Sequence, residues 1–293
     1  MLLSHYCRLL TSLLCLLPLS LLASSASSTP AVSSPAPPRS ALLIVDMQNC
    51  FSPTGSLAVP SFLSLVPVIN RLHTLPLFSL VALSQDYHPP NHVSFAATWP
   101  DNAVPFTSRQ LHYDSDANLC HPQPSLPGLS SHCTASAPLT AINQTLWPIH
   151  CVSGRDDSAF HPSLLHLPSD LVVRKGQSPH IDSYSAFTDA IATHTTQLPA
   201  VLRRRHIGRL YVVGVAMEVC VYATVMDAVS EGLQVIVVED GVGGIDATAV
   251  AEKRAVMEAA GVQFVRSDEV EGWSDRQVEA VVERTMEVEV ALQ

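Results

Sequence analysis

The chain has 293 residues, of which 47% are hydrophobic and 14% charged, and its 16 basic and 26 acidic residues give a net charge of −10. The apolar fraction is ample for a core and excludes wholesale disorder, and the acidic balance argues against a general nucleic-acid-binding protein. The first hundred residues hold only two acids, Asp46 and Asp86, and the whole chain only two lysines, Lys175 and Lys253. Charges this scarce suggest individual roles.

The first 40 residues predict a targeting segment followed by a linker. Residues 1–26 carry Arg8, then an apolar run from Leu9 to Ala23, then small residues, a pattern typical of a secretory signal peptide. The run is short for a membrane span, so no stable span is expected once the signal is removed. Because the segment is Ser-rich and free of acids, an organelle transit peptide is the alternative to a secretory location. Residues 27–40 predict a Pro/Ser linker.

Apolar runs and helical patterns alternate from residue 41 onward, where the catalytic domain (residues 41–293) is expected to begin. The predicted strands are residues 41–46, 78–86, 170–175, 209–215, 233–240 and, as a last addition, 263–270. The predicted helices include residues 61–73 and 219–232. Runs rich in Val, Ile and Leu suit strands buried on both faces, so the alternation predicts an α/β fold with a parallel sheet. The acidic tail that follows predicts a solvated helix.

Residues 101–145 interrupt this alternation and predict a long loop insertion, either functional or disordered. Within it, Cys120 and Cys133 could pair in an oxidising compartment. Asn143-Gln144-Thr145 is a glycosylation sequon, which has meaning only if the protein is secreted. Removal of the signal leaves five cysteines, an odd number, so at least one thiol escapes intramolecular pairing.

Polar residues follow several predicted strands, at the edge where ligands bind in open α/β sheets. Asp46 and Lys175 end two of these strands, and Cys220 lies at the start of a helix. A cysteine attacks as a thiolate, which a helix N-terminus and an ammonium stabilise, while a carboxylate can take the thiol proton. These three residues therefore form a candidate nucleophilic set. The alternative interpretation makes Asp46 a turn residue and Cys220 part of the core.

A second constellation combines one carboxylate with two imidazoles. Asp86 ends a predicted strand and His88 follows two residues later, so their side chains would share a face if the strand continued, and His150 follows Trp147-Pro148-Ile149. Such a set suits Zn²⁺ or Fe²⁺ with open positions for water or substrate. His92 is a further candidate ligand. Because the chain has 13 histidines, any one of them alone is better explained as a surface or loop residue than as a ligand.

Taken in this order, these residues resemble the nicotinamidase branch of the isochorismatase-like cysteine hydrolases. The matching stretches are ALLIVDMQNCFSPTGSLAVP (41–60), SQDYHPPNHVSFA (84–96), WPIHCVSG (147–154), RKGQSPHIDSYSAF (174–187), VVGVAMEVCVYATVMDA (212–228) and VIVVEDGVGG (235–244). The resemblance covers roughly residues 41–265 apart from the insertion.

The resemblance implies a three-layer αβα fold with a six-stranded, mostly parallel sheet. It implies Asp46, Lys175 and Cys220 as the catalytic triad. It also implies a cis peptide between Val215 and Ala216, with the amides of Ala216 and Cys220 forming the oxyanion hole.

The same resemblance implies one divalent metal ion, Zn²⁺ first and Fe²⁺ or Mn²⁺ as alternatives, held by Asp86, His88 and His150. His92 falls where some pyrazinamide-hydrolysing members have a fourth ligand. The aromatic positions that sandwich the nicotinamide ring are Phe51 and Trp147. The implied reaction hydrolyses nicotinamide to nicotinate and ammonia through a thioester, as in NAD salvage, with pyrazinamide as a second substrate.

Three features depart from the family pattern. Cys50 stands where the usual acid follows Gln-Asn, Met217-Glu218-Val219 precedes the nucleophile, and the insertion enters just ahead of His150. Two alternatives therefore stay open: a hydrolase of the same fold acting on another small amide or ester, and a non-catalytic secreted metal- or ligand-binding protein. Homo-oligomerisation also stays open.

Overall fold

The computed structural model describes residues 38–120 and 140–272. The predicted signal segment (residues 1–26), most of the linker, Cys133 and the acidic tail beyond residue 272 lie outside the described residues. The first strand begins at Arg39, so the predicted linker boundary at residue 40 falls inside a strand. No helix within the two described ranges is long and apolar enough to span a membrane.

Six parallel strands form the central sheet, as the sequence predicts. They are β1 (Arg39–Val45), β2 (Phe78–Asp86), β6 (Leu171–Lys175), β7 (Ile207–Val215), β8 (Gln234–Gly243) and β9 (Gln263–Val265). Their order across the sheet is β6-β2-β1-β7-β8-β9. Alternate residues of β1 enter different core clusters, Leu42 and Ile44 on one face, Leu43 and Val45 on the other. Each fully buried side chain of this kind contributes roughly 1.5–3 kcal/mol.

Helices cover both faces of the sheet and complete the three layers. They are α1 (Phe62–His73), α2 (Leu198–Arg204), α3 (Tyr222–Ser230), α4 (Ala247–Ala259) and α5 (Ser267–Glu271). Phe62, Leu65 and Ile69 place the apolar stripe of α1 against one face. Leu198, Val225 and Met257 bring α2, α3 and α4 to the other. The predicted helix over residues 219–232 begins instead as a π-helical turn, Met217–Val221, and continues as α3.

The segment predicted as a loop insertion contains a small antiparallel sheet, which corrects the expectation of a loop. Its strands, in the order β4-β3-β5, are β3 (Ser108–Tyr113), β4 (Leu119–Cys120) and β5 (Thr140–Thr145). Leu111 and Tyr113 alternate with less buried positions and enter a third core cluster with Trp99 and Leu146. The Tyr113 hydroxyl donates a hydrogen bond to the carbonyl of His180, 2.8 Å away, and so holds the sheet to the main domain.

The prediction of a last strand over residues 263–270 is wrong beyond Val265, because helix α5 begins at Ser267. The Glu269 carboxylate accepts a hydrogen bond from the Arg266 amide at 2.9 Å, and Asp268 adds a second acid to the first turn of α5. Acids in this position stabilise the start of a helix.

Candidate active site

The candidate site lies at the carboxyl ends of the central strands. Asp46 follows β1, Asp86 ends β2 beside Lys175 at the end of β6, and Ala216 follows β7. Since neighbouring parallel strands in register end at the same edge of the sheet, residues far apart in sequence meet here.

The structure brings together the three predicted triad residues. The Lys175 ammonium nitrogen lies 2.9 Å from Asp46 Oδ2 and 3.3 Å from Cys220 Sγ, and all three side chains are buried. The Ser84 hydroxyl, which the sequence analysis did not single out, donates a hydrogen bond to Asp46 Oδ1 at 2.7 Å. Asp46 adopts a φ of 51°, a left-handed conformation that few side chains tolerate and that recurs at functional sites.

Burial dominates the charge states of this triad. It raises the pKa of the Cys220 thiol well above its ordinary value, an effect that Lys175 only partly offsets. It also raises the pKa of Asp46, again against the attraction of Lys175. Burial alone would lower the pKa of Lys175, but Asp46 and Asp86 raise it well above its usual range. These directions favour an ammonium at Lys175 and a protonated thiol at Cys220, beside a carboxyl whose raised pKa increases its affinity for a proton.

Cys220 lies in the π-helical turn that opens α3. Such turns occur frequently at functional sites, and the amides at a helix start are available to stabilise negative charge. The predicted cis peptide between Val215 and Ala216 is confirmed. Ala216 and Cys220 line the same pocket, and the role of their amides as an oxyanion hole stays a prediction.

The three predicted metal ligands also meet. Asp86 Oδ2 lies 3.4 Å from Nε2 of His88 and 3.8 Å from Nε2 of His150. Each imidazole uses its other nitrogen for a backbone carbonyl, His88 Nδ1 for Gly176 at 2.9 Å and His150 Nδ1 for Pro148 at 2.8 Å. The Nε2 atoms are thus left to face the carboxylate. This arrangement is typical of metal-ligating histidines and fits a divalent ion.

Charge states at this cluster also suit a metal. Burial alone would raise the pKa of Asp86, but Lys175, His88 and His150 hold it well below its usual range. Burial lowers the pKa of His150 to about 4. Burial would likewise lower the pKa of His88, but Asp86 raises it. At neutral pH the site therefore offers an ionised carboxylate and a neutral His150, the forms that bind metal.

His92, the further candidate ligand, is placed differently. Its ring stacks on that of His88 with centroids 4.1 Å apart, and its Nδ1 lies 2.7 Å from Ser94 Oγ. Its potential ligand atom lies close to those of His88 and Asp182. It does not belong to the group that Asp86, His88 and His150 form.

Phe51 and Trp147, the predicted ring-binding residues, line one pocket together with Cys220 and the three predicted metal ligands. The Phe51 ring lies 5.9 Å from that of His150. Five further residues, none of which was predicted from the sequence to have a role, also line this pocket: Leu57, Asp182, Tyr184, Val219 and Ile245. Leu57, Asp182, Tyr184 and Val219 occur in stretches that carried the family resemblance, whereas Ile245 lies just beyond one.

One wall of the pocket depends on the small sheet. Nε2 of Gln144, on β5, donates hydrogen bonds to Asp182 Oδ2 at 2.7 Å and to the Tyr184 hydroxyl oxygen at 2.9 Å. The Trp147 indole donates to the same hydroxyl oxygen at 3.1 Å. The insertion therefore contributes to the site through Gln144, which the sequence analysis noticed only as part of a sequon.

A disulfide that the sequence analysis did not predict joins Cys50 to Cys151. Cys120 is also disulfide-bonded, and Cys133, its suggested partner, lies outside the described residues. Among the described cysteines, Cys220 is free, as its proposed role as nucleophile requires.

Comparison with known proteins identifies the family. Residues 40–269 match the model of the isochorismatase domain. A nicotinamidase from Acinetobacter baylyi is 36% identical over 228 residues, which are 78% of this chain and 92% of that protein. A nicotinamidase from Escherichia coli is 38% identical over 224 residues, which are 76% of this chain and 91% of that protein.

Solved structures give the same result. A nicotinamidase/pyrazinamidase from Acinetobacter baumanii superimposes with a TM-score of 0.66 at 38% identity, covering 80% of this chain and 100% of that one. A pyrazinamidase of Pyrococcus horikoshii, solved in complex with zinc, has a TM-score of 0.57 at 26% identity, covering 78% and 99%. The chain therefore belongs to the isochorismatase family, in its nicotinamidase/pyrazinamidase branch.

Proposed function

We propose that this protein is a nicotinamidase, an amidohydrolase that converts nicotinamide to nicotinate and ammonia. The observation that carries the proposal is the approach of Lys175 Nζ to both Asp46 and Cys220, with Cys220 lining the same pocket as the metal-type cluster of Asp86, His88 and His150. The similarity to nicotinamidases over most of the chain supports the same substrate.

The first half of the reaction forms a thioester. Asp46 takes the proton of Cys220, and the sulfur attacks the carboxamide carbon, while the Lys175 ammonium stabilises the new thiolate charge. In this proposal the amides of Ala216 and Cys220 donate hydrogen bonds to the negatively charged carbonyl oxygen. The C–N bond then breaks, and Asp46 returns its proton to the departing ammonia.

Water completes the second half. Asp46, ionised again, removes a proton from water as the oxygen attacks the thioester carbon. The C–S bond breaks, Cys220 recovers its proton and nicotinate leaves. Burial of Asp46 keeps its pKa high enough for the carboxylate to serve as a base, while Ser84 holds its other oxygen in place.

Asp86, His88 and His150 would hold a divalent ion, and Zn²⁺ is our first choice because one carboxylate and two imidazoles suit it. The pyrazinamidase solved with zinc supports this choice. When bound, the ion supplies a Lewis acid for the pyridine nitrogen. Phe51 and Trp147 would hold the ring so that its carboxamide faces Cys220.

Pyrazinamide is the second candidate substrate, because it shares the aromatic ring nitrogen and the carboxamide, and a similar structure is that of a nicotinamidase/pyrazinamidase. The non-catalytic alternative leaves unexplained why a free Cys220 lies beside a buried ammonium and carboxylate. As part of the proposal, the nicotinate formed serves pyridine-nucleotide salvage.

The direct test is ammonia release from nicotinamide by the purified protein and by Cys220→Ala. We expect the variant to lose at least about 10⁴-fold in kcat, because the nucleophile is gone, while its metal content stays near that of the wild type. A chelator should abolish wild-type turnover, and added Zn²⁺ should restore it. Undiminished ammonia release by Cys220→Ala would contradict the mechanism.

For location, we propose the secretory pathway, with organelle targeting as the alternative. Disulfides form and persist in oxidising compartments, which the Cys50–Cys151 bond supports. Asn143 of the sequon lies exposed on β5, where a glycosyltransferase can reach it. Glycosidase treatment of the protein from its native source should reduce its mass, and Asn143→Gln should remove that change. A protein that carries no glycan and accumulates in an organelle would favour the alternative.

A further inference from the structure

The Cys50–Cys151 disulfide links the two chain segments that bear the pocket aromatic and a metal ligand. Cys50 immediately precedes Phe51, and Cys151 immediately follows His150. Both half-cystines are fully buried, and they lie 101 residues apart in sequence. No step of the proposed reaction uses this bond, although its two cysteines are the chain neighbours of Phe51 and His150.

Cys151 also contacts the second imidazole ligand through its backbone. The Cys151 carbonyl accepts a hydrogen bond from the His88 amide at 3.1 Å, and the His88 carbonyl accepts one from the Ser153 amide at 2.8 Å. Cys151 itself has a φ of 48°, in the left-handed region that non-glycine residues rarely adopt. A change in the backbone conformation of Cys151 would therefore move His88, through the hydrogen bond, and His150, through the chain.

On the other side, Cys50 belongs to a turn that forms part of the pocket. Its carbonyl accepts a hydrogen bond from the Leu57 amide at 3.0 Å, and the Phe51 carbonyl accepts one from the Val59 amide at 2.9 Å. Cys50 lies in the 3₁₀ turn Asn49–Phe51, whose start is bonded to the main-chain oxygen of Ala159. The disulfide thus fastens one metal-ligand segment to a turn that is itself fixed.

The His150 ring has few polar restraints of its own. Its Nδ1 meets the Pro148 carbonyl, two residues away on the same segment, and its remaining neighbours include the rings of Phe51, Phe95 and His88 at 5.1–5.9 Å. This hydrogen bond is local, and backbone hydrogen bonds hold the segment at Trp147 and at Cys151. The covalent bond at Cys151 adds the link between this segment and the turn of Phe51.

We propose that the Cys50–Cys151 disulfide is a positioning element of the metal centre: it holds His150, and through the backbone His88, in place to bind a divalent ion. Its oxidation state then sets the affinity for the metal. Preorganised ligands bind more tightly because less ordering remains to be done on binding. The inference rests on the proposed function, since it takes these histidines to be metal ligands.

Reduction balances as an ordinary exchange with a thiol. Two molecules of glutathione supply two electrons and two protons, the S–S bond breaks to give the thiols of Cys50 and Cys151, and glutathione disulfide forms. The segment of His150 is then released from the turn of Phe51. We expect metal affinity to fall by about tenfold or more, the range seen when a group that orients metal ligands is removed.

The first experiment measures Zn²⁺ affinity by chelator competition in Cys50→Ala/Cys151→Ala, at a temperature where circular dichroism shows it folded. We expect a dissociation constant raised about tenfold or more. Cys120→Ala is the matched control, because it removes a disulfide on the small sheet and should leave the affinity unchanged. An unchanged affinity in the double variant, or an equal loss in the control, overturns the proposal.

The second experiment needs no variant and applies even if the double variant does not fold. If oxidation strengthens metal binding, metal binding must favour the oxidised form by the same factor. The wild-type protein is equilibrated in glutathione buffers with and without saturating Mn²⁺, chosen because it has little affinity for thiolates, and Cys50 is quantified by alkylation and mass spectrometry. A tenfold effect on affinity lowers the midpoint potential of the disulfide by about 30 mV.

Cys120 is the internal control of this titration, and its midpoint should not move. Equal midpoints of the Cys50–Cys151 bond with and without Mn²⁺ overturn the positioning role. A wild-type protein that binds no metal at all removes the metal centre, and with it the metal-assisted function and this inference. A protein that binds metal tightly regardless of the disulfide, and still releases ammonia from nicotinamide, leaves the proposed function intact and removes only the inference.

Discussion

At the scale of single residues, Ser84 tunes the base of the reaction. Burial raises the pKa of Asp46, whereas the hydrogen bond from the Ser84 hydroxyl opposes that rise. Asp46 acts as a carboxylate, so kcat/KM is lost as the pH falls through its pKa. Ser84→Ala removes the opposing hydrogen bond and should shift this acid limb to higher pH by about one to two units, since a hydrogen bond to a charged group is worth roughly 1.5–3 kcal/mol.

The measurement is kcat/KM for nicotinamide against pH, with metal content checked at each point. The matched control is Ser267→Ala, which removes another buried serine hydroxyl that donates to a carboxylate, that of Asp240, outside the pocket. The control should keep the wild-type profile. An acid limb that stays in place in Ser84→Ala would show that Asp46 is not the group being titrated.

Single residues also show how far a sequence can predict a site. Asp46, Asp86 and Lys175 were predictable because each ends an apolar strand, and parallel strands bring their carboxyl ends together. Ser84 was not, because an interior strand serine gives no signal until its neighbour across the sheet is known. The Cys50–Cys151 pairing was missed for the same reason, since a separation of 101 residues says nothing about proximity.

At the scale of elements, long runs of Val, Ile and Leu made the central strands predictable, whereas the small sheet was not. Its strand β3 buries only Leu111 and Tyr113 and otherwise carries Ser, Arg, Gln and His, so composition concealed the alternation. Strand β5 buries Gln144 against Asp182 instead of packing an apolar side chain. A strand that turns a polar side chain into the site does not have the apolar pattern by which strands are predicted.

Strand β5 should therefore affect substrate binding. Gln144→Ala leaves Asp182 Oδ2 and the Tyr184 hydroxyl without their amide donor. Tyr184, whose hydroxyl accepts a hydrogen bond from the Trp147 indole, is then held less firmly. An unmet buried partner costs about 1–3 kcal/mol, so we expect KM for nicotinamide to rise about tenfold while kcat changes less, because the triad is untouched. Steady-state kinetics of ammonia release provide the measurement.

Gln110→Ala is the matched control for this substitution. Gln110 lies exposed on β3, where it pairs with Asn143, so its loss tests the small sheet without touching the pocket. Its KM should equal that of the wild type. If Gln110→Ala raises KM as much as Gln144→Ala does, the effect belongs to the sheet as a whole and not to the Gln144 hydrogen bonds.

At the scale of the whole molecule, the Cys50–Cys151 disulfide acts in two states of the chain at once. It closes a loop between residues 101 apart, which constrains the unfolded chain, and it also fastens the metal-ligand segment in the folded one. The first effect stabilises the protein by about 2–5 kcal/mol whether or not metal is bound. The second depends on metal, because bound ligand stabilises the native state according to its affinity.

These effects separate in one thermodynamic cycle. Urea unfolding of the wild type and of Cys50→Ala/Cys151→Ala is measured without metal and with excess Zn²⁺. If the disulfide only constrains the unfolded chain, the variant loses the same free energy of unfolding in both conditions. If it also positions His150, the loss with metal exceeds the loss without metal by about 1.4 kcal/mol for each tenfold change in affinity. Equal losses in the two conditions would assign the bond to stability alone.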